Sequence, residues 1–232
     1  MRGKLIVIEG SDGCGKETQS RLLEEALKKN GIDVIRISFP FYTSESAGPV
    51  KMYLDGKLGE KEKLTPKQIT TLYAVDRLCI IKQLHIEEEL ESGKWIICDR
   101  YVESNMIYQA ARARDGFEKR VIVSDIAKFE YEDLKIPGPD IVFYLKLDRS
   151  VSKKLLEARD DLTDIHESDD DYLKAVSATG IELAQIYDWD IIDCNDAENG
   201  IRSKESILED ILSIIDTEYV DFKVNQDKFL VQ

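Results

Sequence analysis

The fold is decided by residues 4–18, which read KLIVIEGSDGCGKET. The first half is a short run of β-branched residues, typical of a strand that is buried on both faces. A glycine-rich turn follows, and residues 17–30 then carry apolar side chains at helical spacing. Residues 10–17 match the phosphate-loop pattern G-x-x-x-x-G-K-[ST] except at its last position, which is Glu17. We therefore expect a strand, a phosphate-binding loop and a helix.

Lys16 and the glycines beside it give this loop a specific chemistry. In such loops, backbone N–H groups turn inward around phosphate oxygens at the positive end of a helix. Glycine permits the backbone angles and the close approach that this needs, and Lys16 would reach the β- and γ-phosphates of a nucleotide. The alternative is an ordinary glycine turn with a surface lysine, which the strand before it and the helix after it disfavour.

Strands and helices alternate along the rest of the chain. This alternation predicts an α/β fold with three layers, in which a five-stranded, mainly parallel sheet is flanked by helices. No repeat or long linker divides residues 1–216, so we expect one domain there, followed by an extension at 217–232 that is an extra strand pair, a partner-binding arm or a disordered tail. The other predicted strands are 33–39, 94–98, 140–147 and 189–194, and the other predicted helices are 66–93, 103–113, 121–134, 150–158, 169–187 and 203–216.

The charge of the chain argues against some classes of protein. The 232 residues carry a formal net charge of −14, and all of it lies in residues 158–232, because residues 1–157 hold equal numbers of acids and bases. Nonspecific binding to nucleic acid or to an anionic membrane needs clustered Lys and Arg, so we expect neither partner. Any anion-binding site is expected in the neutral first part.

Cysteine usage and hydropathy indicate the compartment. The four cysteines are far apart and form no C-x-x-C pair, which is typical of a reducing environment. The apolar run near the N-terminus is too short for a signal peptide, and no run approaches the roughly 20 residues that cross a bilayer. We therefore expect a soluble, cytoplasmic protein.

A second cluster follows the third predicted strand, where Asp99, Arg100 and Tyr101 stand together. An acid after an apolar strand is the Walker-B position, where a carboxylate holds Mg²⁺ or its water. Arg100 offers a planar cation to phosphate oxygens. Alone, such a pair is more often a strand-end ion pair. Sites in parallel sheets gather at the carboxyl ends of strands, however, so we expect the cluster beside the phosphate loop.

Four motifs, in order over about residues 4–215, resemble those of the thymidylate kinase family. They are the loop at 10–18, Phe39-Pro40, LYAVDR at 72–77 and DRYVESNMIYQ at 99–109. The sequence GKETQ at 15–19 also resembles nucleoside monophosphate kinases such as adenylate kinases, in which a hydroxyl residue comes two after the lysine; here it is Thr18. The resemblance implies transfer of the γ-phosphate of ATP, with Mg²⁺, to dTMP to give dTDP.

The resemblance also implies a role for each residue of these motifs. Asp12 would accept a hydrogen bond from the 3′-hydroxyl of the acceptor, and Tyr73 would stack on the thymine ring. Asp99 would serve the magnesium, and the catalytic set would be Lys16, Arg100, Arg159 and Asp12. The implied ATP-binding residues are Gly10, Gly13, Cys14, Gly15, Lys16, Glu17 and Thr18, and the implied acceptor-binding residues are Asp12, Phe39, Tyr73, Arg77, Arg100, Ser104, Tyr108 and Gln109, with Arg77 and Arg100 on the monophosphate.

Several of these side chains also have a purely structural interpretation. Tyr73 and Tyr108 could be half-buried core aromatics, and Arg77 could pair with an acid along its own helix. Ser104 and Gln109 could be caps or solvated residues on a helix face.

The chain departs from the family pattern at three places. Glu17 replaces the usual Ser or Thr after the lysine, and Tyr42 stands where many members carry an arginine. Gly13 stands where some members supply a catalytic arginine from the loop. The lid that the family has at 158–172 would then supply it, and Arg159 is the only basic residue there. The alternative is a helix-terminal arginine paired with a neighbouring acid.

Two other functions share part of this pattern. A kinase for another deoxynucleotide or for a deoxynucleoside would have the same loop and Asp-Arg pair, and a non-catalytic nucleotide-binding switch would need the loop alone. Asp12, Tyr73 and Arg77 argue against a switch, because they would serve only an acceptor. The resemblance further implies a homodimer packed through helices, with the apolar stretch 78–86 in the interface.

Overall fold

The structure is a computed structural model that describes residues 2–60, 63–157, 169–198 and 200–218. Its strands are β1 (Leu5–Gly10), β2 (Val34–Ser38), β3 (Trp95–Asp99), β4 (Ile141–Lys146), β5 (Asp190–Asp193), β6 (Asn195–Asp196) and β7 (Gly200–Ile201). Its α-helices are α1 (Lys16–Lys29), α2 (Gly48–Leu54), α3 (Pro66–Gln83), α4 (Ile86–Glu91), α5 (Val102–Ala110), α6 (Gly116–Ala127), α7 (Arg149–Glu157), α8 (Asp170–Ile186) and α9 (Lys204–Glu218).

The strands confirm the predicted sheet. Five of them form one sheet in the order β2-β3-β1-β4-β5, and each neighbouring pair is parallel. The short strands β6 and β7 form a separate antiparallel pair after β5. Because all five long strands run the same way, their carboxyl ends meet at one edge of the sheet, which is where sites in such folds lie.

The central strand β1 is buried on both faces, as its run of apolar residues predicts. Its side chains alternate between the two helical layers. Leu5 and Val7 pack in the cluster that contains Ile80 and Ile107, and Ile6 and Ile8 pack in the cluster that contains Leu23. The three-layer α/β fold is therefore confirmed, with apolar burial on each side of the sheet holding the layers together.

The helix predicted over 66–93 is two helices, so that prediction was wrong in its middle. His85 lies between α3 and α4 with a φ of 52°, which ends the first helix. The change of direction places Ile86 and Leu90 in the core. Ile81 is also buried within the chain. The stretch 78–86 therefore cannot contribute all of its apolar residues to a dimer interface, because Ile80, Ile81 and Ile86 are buried in the core of the chain itself.

Two other segments differ from the predicted elements. The helix predicted over 121–134 begins earlier, at Gly116, because Asp115 accepts hydrogen bonds from two backbone N–H groups of the first turn. It continues beyond α6 as a π-helical segment, Lys128–Asp133. A short 3₁₀ helix, Glu45–Ala47, and α2 follow β2, where the sequence analysis predicted no element.

Part of the predicted lid and extension falls outside the described residues. Of the lid at 158–172, the structure describes only 169–172, where Asp169 caps the first turn of α8. Arg159 lies outside the described residues, and so does the extension beyond residue 218. In the described ranges, no helix is long and apolar enough to span a membrane.

Candidate active site

The phosphate loop joins β1 to α1 in the conformation that anion binding needs. Gly10, Gly13 and Gly15 have φ angles of 147°, 82° and 93°, which side chains with a Cβ rarely adopt. The helix begins at Lys16, so its unpaired N–H groups lie directly after the loop. Lys16 is nearly buried, and its Nζ donates to the carbonyl oxygen of Ser11 at 2.9 Å. The lysine charge is therefore already fixed beside the loop amides.

The remaining loop side chains have different surroundings. Cys14 is buried in the core beneath the loop, so only its backbone amide is available to a ligand. Glu17 is exposed, and Thr18 is half-buried. A Cβ at Gly13 would lie 2.8 Å from the carbonyl oxygen of Ser152 on α7. An arginine at this position would therefore require α7 to move.

Asp12 is held by side chains from two other parts of the chain. Nη2 of Arg100 donates to its Oδ1, and the Tyr108 hydroxyl donates to its Oδ2 at 2.7 Å. Nζ of Lys16 lies 3.9 Å from Oδ1. Burial raises the pKa of Asp12, but the charges of Arg100 and Lys16 outweigh burial and hold that pKa well below its ordinary value. Asp12 is thus ionised and can accept a further hydrogen bond.

Glu9, the last residue but one of β1, is a buried carboxylate beneath Arg100. It accepts hydrogen bonds from the backbone N–H of Tyr101 at 2.9 Å and from the hydroxyl of Ser104 at 2.8 Å. Burial raises the pKa of Glu9, and Arg100 and Ser104 oppose the rise. These bonds tie the carboxyl end of β1 to the start of α5, which fixes the position of the Asp99-Arg100-Tyr101 turn.

An open pocket of about 770 Å³, including the solvent at its mouth, lies at the carboxyl edge of the sheet. The pocket is lined by all the residues that the family resemblance implied for acceptor binding. These residues come from four separate stretches of sequence. Tyr42, one of the departures from the family pattern, also lines it. The lining consists of Asp12, Phe39, Pro40, Tyr42, Leu54, Tyr73, Asp76, Arg77, Arg100, Tyr101, Ser104, Asn105, Tyr108 and Gln109.

Arg77 does not pair along its own helix. Its Nε donates to Oε2 of Glu130 at 2.7 Å, in the π-helical segment. Its guanidinium lies 5.3 Å from the ring centre of Phe39 and 5.2 Å from that of Tyr101. Burial lowers the pKa of Arg77, but Glu130 outweighs this and raises it above the ordinary value. Arg77 is therefore a charged group whose charge is balanced before any ligand arrives.

Asp76, the neighbour of Arg77, joins two walls of the pocket. Its Oδ2 accepts from the backbone N–H of Phe41 at 2.8 Å, and its Oδ1 accepts from the Ser46 hydroxyl at 2.6 Å. The loop after β2 is thus fastened to α3. Tyr73, one helical turn before Arg77, packs edge-on against Tyr53 at a ring-centre distance of 6.3 Å.

Asp99 ends β3 beside the phosphate loop, in register with Ile8 of β1. Burial raises the pKa of Asp99, and the charge of Lys16 opposes the rise. No group of three or more His, Cys, Asp or Glu that could hold a metal occurs among the residues that the structure describes. A single carboxylate next to a phosphate-binding loop fits Mg²⁺, which is usually held by one or two carboxylates together with substrate phosphates and water.

Comparison with known proteins identifies the family. The model of the family described as "Thymidylate kinase" matches residues 8–207. The chain belongs to the thymidylate kinase family. It is 31% identical to the probable thymidylate kinase of Thermococcus onnurineus over 92% of this chain and 97% of that one. It is 36% identical to the thymidylate kinase of Caldanaerobacter subterraneus subsp. tengcongensis over 63% of this chain and 65% of that one.

A solved structure supports the fold. The thymidylate kinase of Candida albicans superposes with a TM-score of 0.70 at 23% identity, over 94% of this chain and 92% of that one. The thymidylate kinase fold that the motifs indicated is thus the fold observed.

Four acids or amides that line or support the pocket of this thymidylate kinase family member were given no role from sequence. Glu9 stands next to the phosphate loop, but an acid at a strand end has no signature of its own. Asp76 lies inside the LYAVDR motif without an assigned role. Asn105 lies inside the DRYVESNMIYQ motif without an assigned role. Glu130 lies 53 residues from its partner Arg77, and no local pattern announces such a pair.

A neighbouring acid, Glu103, gives a prediction about pH. It is buried, the Tyr131 hydroxyl donates to its Oε1, and its Oε2 has no hydrogen-bond partner among the described residues. Burial raises the pKa of Glu103 from 4.5 to about 7, and the charge of Glu9 adds to the rise while Tyr131 and Arg77 oppose it. Between pH 4.5 and about pH 7, the native state therefore binds more protons at Glu103 than the unfolded state does. The contribution of Glu103 to the free energy of unfolding falls as the pH rises through this range.

Glu103→Gln should therefore raise the free energy of unfolding relative to wild type more at about pH 8 than at about pH 5. Urea denaturation of both proteins at the two pH values measures the difference. An equal difference at both values would contradict the raised pKa. The exposed acid Glu182, which pairs with Lys119 on the surface, provides the control variant Glu182→Gln. It should change the free energy of unfolding little, because exposed ion pairs contribute little.

Proposed function

We propose that this chain transfers the γ-phosphate of ATP to dTMP and that the pocket between α3, α5 and the phosphate loop binds the acceptor. The observation that carries the proposal is the position of Asp12. This acid belongs to the phosphate loop, yet it lines the acceptor pocket and is bound by Arg100 and Tyr108. A loop that only bound nucleotide phosphates would gain nothing from an ionised carboxylate, because like charges repel.

On the donor side, Lys16 and the loop amides bind the ATP phosphates. Phosphoryl transfer depends on positioning and on neutralising negative charge more than on covalent chemistry. Lys16 is fixed by Ser11, and Arg100 by Asp12, so both cations are in place before the substrates bind. Asp99 and the phosphate oxygens would hold Mg²⁺, with Thr18 as the hydroxyl candidate, and the ion would screen the phosphate charge.

On the acceptor side, the two arginines differ in a way that separates their roles. Arg100 shares the loop acid Asp12 with Lys16, so this cluster of two cations and one acid keeps a net positive charge where the phosphates meet. Arg77 forms a pair with Glu130 that is neutral as a unit. Such a pair suits hydrogen bonding to a neutral base better than it suits binding a dianionic phosphate. We therefore assign Arg100 to the acceptor phosphate and Arg77 to the base.

The rest of the pocket fits a base and a sugar. Tyr73 lies one helical turn before Arg77, so both side chains project from the same side of α3. Tyr73 stacks on the ring of the base, and Arg77 hydrogen-bonds to its edge. Asp12 accepts from the sugar hydroxyl. Ser104, Tyr108 and Gln109 come from one helix, α5, and line the sugar and base region. No described residue favours a nucleotide-binding switch over this arrangement.

The experiment that tests the proposal is an ADP-release assay with a panel of acceptors. ATP with Mg²⁺ is held constant, and dTMP, dUMP, dCMP and thymidine are compared. We expect the highest kcat/KM with dTMP. Fastest turnover with dCMP or thymidine would assign the chain to another kinase, and ATP binding without ADP formation from any acceptor would favour the switch.

The homodimer and the cytoplasmic location remain predictions. On α3, Val75 and Cys79 are exposed one turn apart. Cys79 belongs to the stretch 78–86 predicted for the interface and Val75 lies just before that stretch, so both side chains are available to a second copy. Light scattering at micromolar concentration measures the mass directly, and a monomeric mass would contradict the dimer.

A further inference from the structure

We propose that Glu130 is a positioning residue that fixes the hydrogen-bond polarity of the acceptor pocket, so that the pocket accepts a pyrimidine with a 4-keto group and rejects one with a 4-amino group. The inference rests on the proposed function, because it concerns the base of the same acceptor. Glu130 lies behind Arg77 and Asn105, outside the pocket lining.

Glu130 is completely buried, and both of its oxygens are used. Oε2 accepts from Nε of Arg77 at 2.7 Å, and Oε1 accepts from Nδ2 of Asn105 at 2.7 Å. A buried carboxylate is costly unless it is paired and hydrogen-bonded in this way. Its position comes from the π-helical segment Lys128–Asp133 at the end of α6, a type of distortion that is often found at functional sites.

The first consequence concerns Arg77. Because Nε is bound by Glu130, the donors that remain for a ligand are those of the two terminal nitrogens. The aromatic rings of Phe39 and Tyr101 flank the guanidinium at 5.3 and 5.2 Å and restrict its plane. Arg77 therefore presents donors, and only donors, to the pocket.

The second consequence concerns Asn105. In the described part of the chain, its Nδ2 donates to Glu130 and, more weakly at 3.4 Å, to the carbonyl oxygen of Thr70. A carboxylate can only accept, so the Asn105 amide cannot be turned around without placing two oxygens against each other. Asn105 lines the pocket, and the atom left for a ligand is its acceptor Oδ1.

The pocket thus offers a donor and an acceptor in a fixed arrangement. Thymine and uracil present the complementary pair, the acceptor O4 and the donor N3–H. Cytosine presents the reverse pair, a 4-amino donor and an unprotonated N3 acceptor. A site built to hydrogen-bond one pattern discriminates strongly against the other, because its buried polar groups are left unpaired. Glu130 selects the base without touching it.

The test is Glu130→Gln, assayed with dUMP and dCMP so that the thymine methyl group plays no part. Glutamine has one acceptor and one donor, so it can keep the bond to Arg77 only if it donates to Asn105, which must then turn its Nδ2 toward the pocket. We expect the ratio of kcat/KM for dUMP to that for dCMP to fall by about tenfold, with KM for ATP unchanged. An unchanged ratio in a folded variant would overturn the inference.

Matched variants separate positioning from a loss of structure. Glu103→Gln also neutralises a buried acid that bonds to the π-helical segment, but it leaves Arg77 and Asn105 bound to Glu130, so we expect it to keep the wild-type ratio. Asn105→Ala removes the acceptor and keeps the Arg77–Glu130 pair. It should lower the ratio even if Glu130→Gln fails to fold, and a wild-type ratio there would also refute the inference. Wild-type protein that does not phosphorylate dTMP would instead refute the proposed function.

Discussion

Replacement of Lys16 by alanine is expected to lower kcat with ATP and dTMP by about 10³-fold. The lysine is nearly buried and its Nζ is fixed by the Ser11 carbonyl at 2.9 Å, so its charge acts in a site with little water to screen it. Among the residues that the structure describes, the cation that shares Asp12 with Lys16 is Arg100, and its bond to Asp12 holds it away from the position of the lysine. Steady-state kinetics with saturating ATP and varied dTMP separates this loss of kcat from any change in KM.

A lysine on the same helix provides the control. Lys28 lies in the last turn of α1, is exposed, and pairs with Glu24. Lys28→Ala removes the same charge from the same helix, and we expect kcat within about twofold of wild type, since exposed pairs contribute little. If Lys16→Ala retains more than a tenth of the wild-type kcat, Lys16 does not stabilise the transferring phosphate.

Replacement of Arg100 by glutamine is expected to lower kcat/KM for dTMP by about 10³-fold or more. Two effects combine. The acceptor phosphate loses a cation, and the Asp12 carboxylate loses the partner that holds it in place and keeps it ionised. Arg100→Lys restores the charge without the planar fork, so we expect it to recover only part of the activity. Kinetics of the three proteins against dTMP measures the loss.

Arg202 is a close match for Arg100 in exposure. The two side chains are 24% and 23% exposed, and each pairs with an aspartate, but Arg202 pairs with Asp210 away from the pocket. Arg202→Gln should leave kcat/KM unchanged. Activity of Arg100→Gln within tenfold of wild type would mean that another cation binds the acceptor phosphate.

Most of the fold could be predicted from sequence because it depends on local patterns. The apolar run of β1, the glycines at 10, 13 and 15, and the periodic helices are each visible in a short window. The break at His85 could not be predicted, because α3 and α4 together form one continuous apolar pattern. Only the packing of Ile86 and Leu90 against the rest of the core requires a change of direction there.

The candidate site could be predicted only where its residues belong to recognisable motifs. Asp12, Arg77, Arg100 and Tyr108 all line the pocket that the motifs indicated. The groups that hold them are distant in sequence, and Glu130 is the clearest example. A buried acid lies close in space to the cation whose charge it balances, but the two residues have no fixed separation in the sequence. A sequence motif therefore cannot identify such an acid.

The bonds of Asp76 have a consequence for how the acceptor binds. A single carboxylate fastens the loop at Phe41 and Ser46 to the helix that carries Tyr73 and Arg77. The loop after β2 and helix α3 are therefore held together as one rigid unit, and the acceptor binds in a preformed pocket. Little conformational entropy remains to be lost on binding, so affinity depends on displacing water and on the fit of the nucleotide.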